Sequence, residues 1–126
     1  MEASTHILLI SSDLMVASRI DGLARSAGAR LETVASLQSA PQAGPFDIVL
    51  LDLQSLAGDA VAIVGRVRSM LDQLPAQAAT PAKVIAFGPH VHKQRLDDAT
   101  TAGATLAVSR GELLGDFPAV IARAAS

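Results

Sequence analysis

Residues 48 to 51 read Ile-Val-Leu-Leu, and the run stops at a carboxyl group, Asp52. Four aliphatic residues in succession cannot alternate between a buried face and a wet one. Both faces of such a strand must therefore be covered, as in the central strands of a parallel sheet flanked by helices. The segments His6-Ile7-Leu8-Leu9-Ile10-Ser11 and Lys83-Val84-Ile85-Ala86-Phe87-Gly88 repeat the pattern, and Thr105 to Ser109 gives a shorter version of it. Arg30 to Ala35 alternates instead, with Leu31 and Thr33 on one side and Glu32 and Val34 on the other. That suits a half-exposed edge strand.

Helical spacing fills the intervals. Ser12 or Asp13 supplies a cap, and Val16, Ile20, Leu23, Ala24 and Ala27 follow at helical periods until Gly28 ends them. Val64, Val67, Leu71 and Leu74 mark a helix beginning near Ala60, and Leu96, Ala99 and Ala102 mark another ending at Gly103. Leu113, Phe117, Val120, Ile121 and Ala124 predict a single last helix. Between the edge strand and Phe46, Pro41 and Gly44 limit any helix to a turn or two, and Pro75 to Pro81 reads as a loop. Strands alternating with helices predict one α/β domain over residues 1–126, a parallel sheet with helices on both faces.

Composition removes several function classes. There is no Cys, so disulfides, thiolate nucleophiles and cysteine metal sites are excluded. Ten basic residues against twelve acidic ones give a net charge of −2, with no basic block, which argues against nucleic acid as a partner. Trp and Tyr are absent, so no aromatic platform exists for stacked bases. No apolar run reaches membrane-spanning length and the first residues are not a basic leader, which gives the expectation of a cytoplasmic protein without membrane contact.

In an open α/β sheet, ligands and chemistry gather at the carboxyl ends of the strands. Here those ends carry Ser11, Ser12 and Asp13, then Asp52, then Gly88, Pro89 and His90, and finally Ser109 and Arg110. Asp52, at the end of an aliphatic run, is partly desolvated and needs either a partner or a chemical role. Hydrogen bonding to loop amides near Ser55 would satisfy it as well as chemistry would. His90 and His92 have an i, i+2 spacing and no evident third ligand, so surface histidines are the better reading. A flavin site lacks flanking aromatics, and Ser12, His90 and Asp52 cannot be read as a hydrolase triad without a Gly-x-Ser-x-Gly elbow.

Asp47-Ile-Val-Leu-Leu-Asp52, Ala102-Gly103-Ala104 and Arg110 together resemble the receiver domain of two-component response regulators, the chemotaxis-protein-like family. The resemblance covers nearly the whole chain and implies strand order 2-1-3-4-5. It also implies that Asp52 is the phospho-acceptor of a histidine kinase, with Mg²⁺ held by that residue and by an acidic pair ending the first strand. In the family a Thr or Ser ending the fourth strand, and a lysine, then sense the phosphoryl group.

The sequence departs from that pattern around Asp52. Ser11 and Ser12 stand where the acidic pair belongs, and hydroxyls are poor substitutes for carboxylates toward a hard cation. Gly88 stands where the switch hydroxyl belongs, Leu56 replaces the usual proline, and Arg110 replaces the lysine with a planar fork. Asp13 could serve as a metal carboxylate beside Asp52, but a helix cap is the better reading. No cofactor is required, and Mg²⁺ would be held weakly.

The expectation is a non-enzymatic pseudo-receiver acting through protein–protein contacts without phosphorylation. Its partner, or a second copy of the chain, would meet the face built from the fourth helix, the fifth strand and the last helix, around Arg95, Leu96, Val108 and Leu113. A genuine single-domain regulator phosphorylated on Asp52 by a histidine kinase is the alternative. A small-ligand binder in the cleft of Ser11, Ser12, Gly88 and Pro89 is a further one.

Overall fold

The computed structural model describes residues 5–39, 41, 44–74 and 80–125. Most of the loop expected from Pro75 to Pro81 lies outside them. Five strands are β1 (His6–Ile10), β2 (Arg30–Val34), β3 (Ile48–Asp52), β4 (Lys83–Gly88) and β5 (Leu106–Ser109). They pair in parallel in the order β2-β1-β3-β4-β5, as the resemblance implied. Among the described residues the helices are α1 (Leu14–Ser26), α2 (Ala60–Asp72), α3 (Lys93–Thr101), α4 (Arg110–Gly115) and α5 (Phe117–Ala125).

The unbroken aliphatic runs of β1, β3 and β4 feed two cores at once, because successive side chains point to opposite faces. Ile7, Leu9, Ile48, Leu50, Ile85 and Phe87 pack on Val16 and Ile20 of α1, Leu113 of α4 and Phe117 and Val120 of α5. Their neighbours Leu8, Ile10, Val49, Leu51, Val84 and Ala86 pack on Ile63, Val64 and Val67 of α2 and Ala99 of α3. A one-residue slip of β3 would exchange these two sets, so its register with β1 (Leu9 opposite Leu50, Ile10 opposite Leu51) is tightly specified. β2 is the edge strand, with only Val34 buried.

One expectation is corrected. The single last helix is two: the chain leaves helical geometry at Asp116 (φ −146°, ψ 49°) and starts again at Phe117. Pro118 is the cause. It has no N–H to donate, and its ring would collide with the carbonyl of Leu114 in a continuous helix, whereas the first turn of a new helix accepts it. An ion pair of 2.6 Å between Arg123 and Glu112 spans the break. In the stretch after β2, where Pro41 and Gly44 were expected to limit any helix to a turn or two, residues 36 to 39 form turns, held in part by Ser39 N–H donating to the Ser36 carbonyl at 3.3 Å.

Candidate functional site

The parallel register brings the ends of β1, β3, β4 and β5 to one edge, and Asp52 sits at its centre, only 2% exposed. Ser11, 3% exposed, follows the last residue of β1 and donates its hydroxyl to Asp52 Oδ2 at 2.7 Å. Asp52 Oδ1 accepts the Gln54 N–H at 3.2 Å. The Ser11 oxygen in turn accepts the Asp13 N–H at 3.1 Å. Both oxygens of the buried acid are thus engaged, which is the condition under which a buried polar group is tolerated.

Two of the neighbours expected to share the site are bonded elsewhere. Ser12 is exposed and bonds Ser55 on the loop after β3: its N–H reaches Ser55 Oγ at 3.1 Å and its Oγ reaches the Ser55 carbonyl at 3.0 Å. Asp13 caps α1, one carboxyl oxygen accepting the N–H of Met15 at 3.0 Å and of Val16 at 3.1 Å. Such a cap satisfies amides that the helix itself cannot. Arg110 opens α4, half-buried, and no hydrogen bond or ion pair of its guanidinium is found among the described residues. His90 and His92 are exposed, and His92 precedes α3 without a side-chain capping bond.

Gly88 is buried, yet it is not crowded. A Cβ placed there would lie 3.9 Å from Leu53 Cβ and 4.0 Å from Leu96 Cδ2, ordinary contact distances. The missing hydroxyl is therefore a matter of residue identity and not of space.

Mg²⁺, which a receiver fold implies, does not fit these donors. Among the described residues no group of three or more His, Asp or Glu side chains is placed to hold a metal. Asp52 is bonded on both oxygens, Asp13 is occupied with helix amides, and the remaining groups at the β1 end are neutral hydroxyls. A hard divalent ion needs charged oxygens to offset the loss of its hydration shell.

Two residues belong to the site that sequence reasoning did not place there. Arg95 of α3 donates Nη2 to the Leu53 carbonyl at 2.6 Å and Nη1 to the Gly58 carbonyl at 3.0 Å. It thereby closes the loop after Asp52 from both ends, in the bidentate manner that the rigid guanidinium fork favours. Ser55, bonded to Ser12 and donating to the Asp52 carbonyl at 3.4 Å, ties that loop to β1. The proximity of Ser55 to Asp52 in sequence was a usable signal, but nothing adjacent in sequence pointed to Arg95.

The rim around this end carries exposed apolar side chains among polar ones. Leu14 and Met15 in the first turn of α1 are each 84% exposed, Val91 between β4 and α3 is 72% exposed, and Val61 in the first turn of α2 is 54% exposed. By contrast, two residues expected on the α3–β5–α4 face are core: Val108 is 3% and Leu113 0% exposed. Their strand and helix periods turn them inward against Phe87 and Phe117. That face loses them as contact residues.

Comparison with known proteins supports the same architecture. No family model matches the chain, and no curated protein does. Solved receiver domains superpose along its length. The chemotaxis response regulator CheY4 of Vibrio cholerae gives a TM-score of 0.74 at 15% identity, over 97% of this chain and 99% of that one. The receiver domain of the sensor histidine kinase PA1611 from Pseudomonas aeruginosa, solved with a magnesium ion coordinated in its active-site cleft, gives 0.72 at 18% identity, over 98% of each. A two-component response regulator from Clostridium difficile gives 0.71 at 17% identity, over 98% of this chain and 100% of that one. The fold is that of response-regulator receivers. At these identities the likeness speaks for the fold, and the site must speak for function.

Proposed function

We propose that the chain is a non-enzymatic signalling module of receiver type that acts by protein contact and independently of phosphorylation at Asp52. One observation carries this reading: the acid at the acceptor position has both oxygens hydrogen-bonded, by Ser11 and by the Gln54 amide, with hydroxyls and a helix cap where metal carboxylates would be needed. A phosphoryl group entering there would meet Asp52 without a divalent cation to offset its charge, and without a hydroxyl at Gly88 to follow it. Asp52 is kept because it closes the β1–β3 edge.

The contact surface in this reading is the rim of Leu14, Met15, Val61 and Val91. These are the large apolar side chains exposed among the described residues, and they gather at one end of the sheet. Scattered apolar residues need no explanation; we take this set as the docking surface because all four stand at the strand ends that also hold Asp52. Its occupant is a different protein presenting apolar side chains. If sedimentation instead showed a dimer that Met15→Glu dissociates, the occupant would be a second copy. No helix among the described residues is long and apolar enough to cross a membrane.

The test is incubation with acetyl phosphate and Mg²⁺ followed by intact mass measurement. No phosphoryl adduct is expected. A stoichiometric adduct that disappears in Asp52→Ala would overturn the reading. It would establish the second one, a phosphorylated single-domain regulator, which is favoured by the position of Asp52 at the end of β3. That alternative requires Asp13 as a metal ligand, so Mg²⁺ affinity would then fall in Asp13→Ala.

A further inference from the structure

We propose that the cleft between the turn after β2 and helix α2 binds a small phosphorylated molecule, with Arg66 as its phosphate-binding side chain. The described residues directly after β2, 36 to 39, make turns, and the cleft lies between them and α2. It has two connected parts. A cavity of about 260 Å³ lies against the strand ends and is lined by Ser12, Ser36, Gln38, Ser55 and Arg66 among others. A more open groove of about 660 Å³ continues along α2, where Leu37, Ser69, Met70 and Gln73 join Gln38 and Arg66. Leu37, Gln38 and Arg66 line both parts.

The chemistry of the lining selects the ligand. Serine side chains from three separate loops line the inner cavity: Ser12 after β1, Ser36 after β2 and Ser55 after β3. They are held by bonds already described or close by, such as Ser36 Oγ to Ser39 Oγ at 3.2 Å. The Ser12 and Ser55 hydroxyl hydrogens go to the Ser55 and Asp52 carbonyls, so Arg66 and the Gln38 amide are the donors at hand and a serine hydroxyl joins them by turning. Among the described residues no Asp or Glu lines either part of the cleft, and Arg66 is the one charged side chain in both. Its guanidinium has no carboxylate partner and no hydrogen bond among them, unlike Arg25, Arg123, Arg68 and Arg95; Arg19, Arg30 and Arg110 share that state, and of these four Arg66 is the one that lines this cleft. A planar fork without a partner, surrounded by neutral hydroxyl and amide groups, suits a phosphate dianion, which takes paired N–H donors and accepts from hydroxyls. The Leu37 and Met70 side of the groove suits an apolar or planar body attached to the phosphate. The combined space lies in the range of small-molecule sites, which are concave and carry a few placed polar groups.

This site is separate from the acidic position at Asp52, so it stands or falls independently of the phosphorylation test. It shares only the Ser12–Ser55 wall with that position. Occupancy would therefore reach the loop after Asp52 through Ser55.

The experiment is a titration of the full chain, labelled with nitrogen-15, with inorganic phosphate and with phenyl phosphate at low ionic strength, followed by amide chemical shifts. Saturable shifts are expected at Ser12, Gln38, Ser55 and Ser69, with phenyl phosphate binding more tightly than phosphate. Arg66→Gln should weaken both at least about tenfold, the loss of one charge-assisted interaction. Arg19→Gln, on exposed α1 across the sheet, should leave both unchanged. Arg66 is exposed, so its replacement should not unfold the chain, and an unchanged thermal transition would verify this. Shifts that do not saturate, or equal affinity in Arg66→Gln, would overturn the site. Equal loss in Arg19→Gln would show screening of net charge and overturn it too.

Discussion

Two carboxyl groups bracket β3, and both bond β1, yet they do so in opposite ways. Asp47, before the strand, is exposed; its Oδ2 accepts the His6 N–H at 2.8 Å and its own N–H donates to the His6 carbonyl at 2.8 Å. Asp52, at the other end, is buried and bonds a side chain, Ser11, instead of the main chain. Asp47 pins the register at a wet edge where water could replace it. Asp52 pins it where nothing else can. The comparison shows what burial adds: it turns Asp52 into a structural element whose loss leaves donors unpaired.

The largest effect that tests this contrast is expected from Asp52→Ala. With the Ser11 hydroxyl and the Gln54 N–H left without their acceptor in a dry site, stability should drop by about 2–3 kcal/mol in urea unfolding, the range for bonds to charged groups. A loss under about 0.5 kcal/mol would break the comparison. Ser11→Ala should cost about 1–2 kcal/mol, and a double-mutant cycle with Asp52→Ala should give a coupling above about 0.5 kcal/mol, since the two side chains are in contact. Replacing the pair together, Ser11→Ala with Asp52→Leu, should recover much of the loss, because removing both partners leaves no orphaned group. Asp47→Ala should cost about 1 kcal/mol, as one part-buried bond is lost where the acceptor side is open to water. The smallest effect sharpens the picture of the Asp52 end. Gly88→Ala should be neutral or stabilising by up to about 1 kcal/mol, because the added carbon finds open contact distances and the unfolded chain loses freedom. Marked destabilisation would mean that this end is packed shut.

Much of this was legible from the residues. The aliphatic runs at Ile7 to Ile10, Ile48 to Leu51 and Val84 to Phe87 gave the central strands, since only two-sided burial tolerates them. Gly28 and Gly103 ended their helices with positive φ, 76° and 114°, a conformation that glycine enters without steric cost. Pro118 held the signal for the α4–α5 break, but the apolar period of Leu113, Phe117 and Val120 runs through it and outweighed it. Val108 and Leu113 were misplaced on the surface because a family's contact face was carried over without weighing their own burial. The pairing of Ser11 with Asp52, 41 residues away, follows from the β1–β3 register and not from either segment alone. Arg95 was equally hidden, since its acceptors are backbone carbonyls, which every residue carries.

That guanidinium has a mechanical consequence. Its two carbonyl contacts straddle the six residues from Leu53 to Gly58 like a brace across an arch, so the arch cannot be pushed without dragging α3 or snapping the brace. A load on the loop is therefore carried to α3 by a rigid strut that is already in place.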